Sequence, residues 1–276
     1  MGTANGNEKR VLLVAIVLTL ALQLIPYGRW LTYPFLIFST FIHETCHALA
    51  TVLTGGKVDS LTVALDGSGL TFRQGGIGLI VVPAGYIGTA LVGGLLLILS
   101  RNLARTRPVL LGCAVLIAIA TAGFAGHSNN WIVLLGLLIV TALASLSRKH
   151  GRLLLGGAAI VAAGVCVYLF MTGSLFSWAA GLVIVGSLIL VACFTPPGFA
   201  HFFLTFLAVQ CSLNSLNALL DLTTLSVHSE THTDAQTMAS MTFIPAIVWA
   251  IAWALIAILI LILSARAYFL AGRKSS

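Results

Sequence analysis

Charge is what this sequence lacks most: only 8% of its 276 residues are Asp, Glu, Lys or Arg, against roughly 25% in a soluble domain. Acidic residues are the scarcer sign, 7 against 14 basic ones. With 59% hydrophobic residues, such a chain cannot cover a water-facing surface, so it reads as an integral membrane protein in a lipid bilayer. No Cys-x-x-Cys pair occurs among Cys46, Cys113, Cys166, Cys193 and Cys211. Neither a cysteine zinc site nor a disulfide framework is therefore indicated. No small-x-small cleavage site follows the first apolar run, which argues for an anchor or span over a signal peptide. No tandem repeat and no soluble second domain is visible. The formal net charge of +7 does not signal nucleic acid, because the basic residues sit in short clusters between apolar runs, where a membrane protein carries them.

What is present is a series of apolar runs. They cover Val11–Ile25, Leu31–Leu53, Ile77–Ser100, Pro108–Phe124, Trp131–Leu146, Leu153–Met171, Leu175–Phe194, Phe199–Leu225 and Phe243–Ser264. The fold class expected is an all-α polytopic membrane protein with about nine transmembrane helices, between about eight and ten, since several runs fall short of the roughly 20 residues a span prefers. Residues 1–10 read as a disordered N-terminus, 11–265 as one membrane domain and 266–276 as a basic tail. Ser226 to Ser240 reads as a polar loop. With nine spans, the basic loops 101–107 and 147–152 share one side with the C-terminus, and the positive-inside rule makes that side cytoplasmic.

Residues 57–74 break the pattern. Val58 to Leu65 alternates in part and is β-branched, Asp66-Gly67-Ser68-Gly69 is turn chemistry, and Leu70 to Arg73 alternates again. This predicts a β-hairpin, at the membrane surface or dipping in against protein, because a bare strand cannot face lipid.

The chemistry lies in the second run, at His43-Glu44-Thr45-Cys46-His47. Residues i and i+4 share a helix face, so two imidazoles at this spacing can bind one Zn²⁺, and the intervening glutamate can act on a water at the metal. Ionisable side chains inside a span are costly and are functional candidates by default. His43 and His47 are the expected metal ligands and Glu44 the catalytic acid/base. A catalytic zinc usually has three protein ligands. Asp221, an acidic residue in the apolar run 199–225, is the expected third, with Asp234 or His232 of the following loop next in line. Asn214 and Asn217, on the same helix as Asp221, either orient that ligand, hold an extended substrate, or bond neighbouring helices. His201 reads as interfacial, and His228-x-Glu230-x-His232-x-Asp234 as a solvated loop.

Beyond the His-Glu-x-x-His core, the order Thr54-Gly55-Gly56-Lys57-Val58, Asp66-Gly67-Ser68-Gly69-Leu70-Thr71, Arg73-Gln74-Gly75-Gly76 and Pro83-Ala84-Gly85-Tyr86-Ile87-Gly88 resembles the site-2 protease family of intramembrane zinc metalloproteases, in its bacterial and plant branch. A second stretch, from Asp221 through Thr233-Asp234-Ala235 to Ile244-Pro245-Ala246, is also similar. The resemblance implies one Zn²⁺ per chain, membrane-embedded protein substrates, a hairpin that presents substrate as an added strand, and a bacterial plasma membrane. It also implies that the end of the histidine helix is cytoplasmic, against the charge count. Leu220-Asp221 is followed by Leu222-Thr223, departing from the Leu-Asp-Gly context common in the family. The competing readings are a catalytically inactive metal-binding membrane protein, such as a transporter or chaperone, and a metal-dependent hydrolase of lipid or peptidoglycan precursors. The intact Glu44 favours proteolysis, because metal binding alone has no use for that carboxylate.

Overall fold

The structure is a computed structural model that describes residues 4–127, 164, 174–226 and 233–270. Its helices are α1 (Ala4–Leu24), α2 (Gly28–Leu53), α3 (Gly78–Ser100), α4 (Thr106–Phe124), α5 (Leu175–Phe194), α6 (Pro197–Leu225), α7 (Asp234–Thr242) and α8 (Ala246–Leu270). Strands β1 (Lys57–Val63), β2 (Gly69–Gln74) and β3 (Gly126–His127) form one small sheet. Among the described residues six helices are long and apolar enough to cross a membrane: α2, α3, α4 with the turn before it, α5, α6 and α8. The expected spans at 131–146 and 153–171 lie outside the described residues. The first expected span is helical, but Glu8, Lys9 and Arg10 occupy the start of α1 and leave an apolar stretch of only about 20 Å at 1.5 Å per residue. The expectation of nine spans therefore meets six span-forming helices here.

Each span-forming helix buries one side and leaves an apolar one outside. On α8, Val248, Ile251, Leu255, Leu259 and Ile262 are exposed while Ala250, Trp253 and Ala257 are buried; the exposed row suits lipid chains. The main core brings Phe38, Phe41 and Ile42 of α2 against Leu61 of β1, Leu110 and Ile117 of α4, and Leu204 of α6, all at or below 1% exposure. Close approach of α3 to α6 depends on Gly93, where a Cβ would come 3.0 Å from the backbone nitrogen of Ser212. Small residues serve helix contacts this way where lipid leaves no hydrophobic drive between helices.

The hairpin expected at residues 57–74 is present and antiparallel, with Leu61 opposite Thr71 and Val63 opposite Gly69. Gly67 takes φ +89° in its turn, a conformation open mainly to glycine, and both the N–H and the hydroxyl of Ser68 donate to Asp66 Oδ1. Those two bonds hold the Asp66 carboxyl below its ordinary pKa. The hairpin folds back along α2: the Tyr33 hydroxyl donates to Leu65 C=O at 2.7 Å and the Thr40 hydroxyl to Gly67 C=O at 2.8 Å. It thus reaches into the depth of a span with its inner face covered by protein, as unsatisfied backbone in lipid demands. The sheet order is β2-β1-β3. The third strand, one pair between Ser60 and His127, is not foreshadowed in the sequence.

Two local features add to the expectations. His201, near the start of α6, is buried at 6% exposure, and its Nε2–H donates to Ser100 C=O at 2.7 Å at the end of α3. The expected polar loop 226–240 contains α7, a helix begun by a capping box in which the Thr233 side chain accepts from Gln236 N–H and the Gln236 side chain accepts from Thr233 N–H. Such a box satisfies two otherwise orphaned donors.

Candidate metal centre

Residues 43–47 fall in the regular part of α2, so His43 and His47 lie one turn apart on one face. Their Nε2 atoms are 3.0 Å apart. His47 Nδ1 lies 2.8 Å from Val81 C=O. A carbonyl only accepts, so Nδ1 carries the proton and Nε2 keeps its lone pair for the shared point. His43 is held by packing: its ring stands edge-on to Tyr86 at 4.5 Å, and Tyr86 stacks on Trp253 at 5.7 Å.

The third group at this point is Asp234, the first residue of α7. Its Oδ2 lies 3.3 Å from His47 Nε2 and 3.8 Å from His43 Nε2. Burial pushes the Asp234 carboxyl up, but the two imidazoles facing it outweigh burial and hold the group below the usual carboxylate range. What brings α7 here is a second apolar cluster, in which Ala235 and Met238 pack with Val82 of α3, Leu219 and Leu222 of α6, and Trp253 of α8.

The three ligand atoms lie within 4.8 Å of one another, and this is the only such group among the described residues. Ligands about 2.0–2.2 Å from a tetrahedral zinc stand roughly 3.4 Å apart, and the separations of 3.0, 3.3 and 3.8 Å bracket that value. Space for the ion comes from Gly85 of α3: a Cβ there would fall against the Nε2 atoms of both histidines. The donor set, two imidazoles and one carboxylate, fits a zinc-type centre with a position left open.

Glu44 is 4% exposed. Its Oε2 accepts from the Thr71 hydroxyl at 2.7 Å. Asp221 stands outside the group: it is exposed, on a turn of α6 whose buried residues are Leu219 and Leu222. Asn214 Nδ2 donates to Ser39 Oγ at 3.3 Å, a bond between α6 and α2, and Asn217 is exposed. His228, Glu230 and His232 lie outside the described residues. The signal that points to Asp234 is Thr233-Asp234-Ala235-Gln236, a capping box that starts a helix at the aspartate.

No curated protein and no solved structure significantly matches the chain. A family model described as Peptidase M50B-like matches residues 13–149 and 117–264. Those ranges take in His43, Glu44, His47 and Asp234 and most of the sequence, and the chain belongs to the Peptidase M50B-like family.

Proposed function

We propose that this protein is an intramembrane zinc metalloprotease that hydrolyses peptide bonds of membrane-embedded protein substrates, in a bacterial plasma membrane. The observation that carries the reading is the convergence of His43, His47 and Asp234 on one point beside a buried glutamate one residue from a ligand. Asp234, not Asp221, is taken as the third ligand. Zinc bound there supplies Lewis-acid polarisation of the scissile carbonyl and lowers the pKa of water.

The protein's own groups supply the rest. Glu44 takes a proton from the attacking water on its carboxylate and returns it to the leaving amine. The sheet supplies the place for substrate. β1 is flanked by β2 and β3, and near its end Ser177 Oγ accepts from Val63 N–H at 2.8 Å and donates to Val63 C=O at 3.1 Å. Among the described residues β2 keeps an open edge. Ala64 N–H donates to Ser68 C=O. Hydrogen-bonded and non-bonded pairs alternate in an antiparallel ladder, so Leu70 and Phe72 turn their backbone groups to β1. Gly69, Thr71 and Arg73 then turn theirs outward. An unwound substrate segment adds as a strand along that edge, beside Glu44.

The test is Glu44→Gln, which keeps shape and polarity and removes the base. Cleavage of a membrane-embedded model substrate should fall by about 10² to 10⁴-fold with zinc still bound. Full activity in that variant would refute the mechanism. Comparing membrane proteomes of cells carrying wild type and Glu44→Gln identifies the substrates.

A further inference from the structure

We propose that Thr71 is the positioning residue for Glu44, coupling the strand that receives substrate to the carboxylate that activates water. The inference rests on the reading of Glu44 as the base and of β2 as the substrate edge. Thr71 sits on β2 with its side chain toward α2. Its hydroxyl lies 2.7 Å from Glu44 Oε2 and 3.2 Å from Glu44 C=O. The nearer oxygen is the acceptor, and a hydroxyl bond to a carboxylate is among the stronger kinds.

The same strand also makes room for the other carboxylate oxygen. A Cβ at Gly69 would come 2.5 Å from Glu44 Oε1, 2.7 Å from Glu44 Cγ and 2.8 Å from Thr40 Cγ2. Gly69 and Thr71 are two apart on β2, so they share a face. Glu44 is therefore seated against β2 by one hydrogen bond and one bare glycine. By the alternation derived above, the backbone groups of Thr71 point the other way, to the open edge. A substrate strand paired there fixes the Thr71 backbone, and the Thr71 side chain passes that order to Glu44. The base is then held in place when a substrate strand lies beside it.

This separates two kinetic quantities. Removing the hydroxyl leaves the outward backbone of β2 unchanged, so substrate binding is retained. What falls is the rate of the chemical step. Loss of one hydrogen bond to a charged group corresponds to about 10- to 100-fold in rate.

The experiment compares the full-length protein with Thr71→Val, Thr71→Ser, Glu44→Gln and the Glu44→Gln, Thr71→Val double variant. The readouts are zinc content, KM and kcat for a membrane-embedded model substrate in detergent or nanodiscs. Thr71→Val should keep about one zinc, hold KM within about threefold and lose about 10- to 100-fold in kcat. Thr71→Ser should recover kcat to within about threefold, because it restores the hydroxyl. The double variant should be no slower than Glu44→Gln, since residues acting through one group are not additive. Unchanged kcat in Thr71→Val overturns the inference. So does a loss that serine does not rescue, a loss confined to KM, or a rise in kcat, which would make the bond a restraint on the base. Glu44→Gln decides the underlying reading separately: if that variant is fully active, the assignment of the base fails whatever Thr71 does.

Discussion

Asp234 as the proposed third ligand can be tested directly against Asp221. Sequence singles out Asp221; geometry brings Asp234 to 3.3 Å and 3.8 Å from the two imidazole nitrogens and leaves Asp221 exposed on α6. Asp234→Asn replaces a charged oxygen ligand with a weak neutral one and changes little else in size. Zinc sites of four ligands bind with about 10–16 kcal/mol, or roughly 2.5–4 kcal/mol per ligand, so losing one should weaken zinc by about 10² to 10³-fold. Asp221→Asn should leave zinc affinity within about threefold, because an exposed side chain outside the group makes no ligand bond. The assay equilibrates each purified variant with zinc and a competing chelator of known affinity, then measures bound metal. Proteolysis measured in parallel should fall with zinc in Asp234→Asn and stay in Asp221→Asn. If Asp221→Asn sheds its zinc while Asp234→Asn keeps it, the ligand assignment made from this structure is wrong and α7 packs there for another reason.

Other outcomes follow from the same geometry. Gly85→Ala places a methyl against both Nε2 atoms; zinc content should fall to near zero while the protein stays folded, as judged by circular dichroism in detergent. Met238→Ala removes a side chain 2% exposed in the cluster that docks α7. A buried Met→Ala costs about 2–5 kcal/mol, so zinc affinity should drop at least tenfold with His43, His47 and Asp234 all intact. Arg73→Pro deletes an outward donor of β2, where proline is tolerated at a sheet edge; substrate cleavage should fall more than zinc content. Proline at Val63 should instead unsettle the sheet itself, because that N–H is bonded to Ser177. Strong chelation should abolish activity, and added zinc should restore it.

How far the sequence reaches can be seen element by element. His43, Glu44 and His47 are legible because helical spacing alone puts i and i+4 together, and because three ionisable groups inside an apolar run have no inexpensive alternative explanation. The hairpin is legible because Asp66-Gly67-Ser68-Gly69 is turn chemistry flanked by partial alternation, and the observed strands stop at Val63 and resume at Gly69. Two features are harder to read. Strand β3 is a single pair to His127, too short to leave a period in the sequence. Asp221 looks like a ligand because it is acidic inside an apolar helix, but helix rotation decides which side of the turn is buried, and α6 buries Leu219 and Leu222 instead.

Asp234, the proposed third ligand, shows how the site is constructed. A span helix can supply two ligands at fixed spacing, but a third must arrive from elsewhere in the chain, and its approach depends on long-range packing that no local pattern encodes. Here it arrives on a nine-residue helix too short to be stable alone, since isolated helices shorter than about 12–15 residues are marginal in water. Its start is written locally, in the Thr233 and Gln236 capping box, but its position is not. Ala235 and Met238 dock it chiefly on α3 and α8, and that docking turns Asp234 toward the histidines. The site is therefore assembled in two steps of different robustness. The histidine pair is fixed by the helix that carries it, and the aspartate is fixed by a small apolar contact at the helix start. Weakening that contact should loosen the metal without disturbing either histidine, whereas no change in α7 should affect how Glu44 meets Thr71, because that bond is made wholly between α2 and the hairpin.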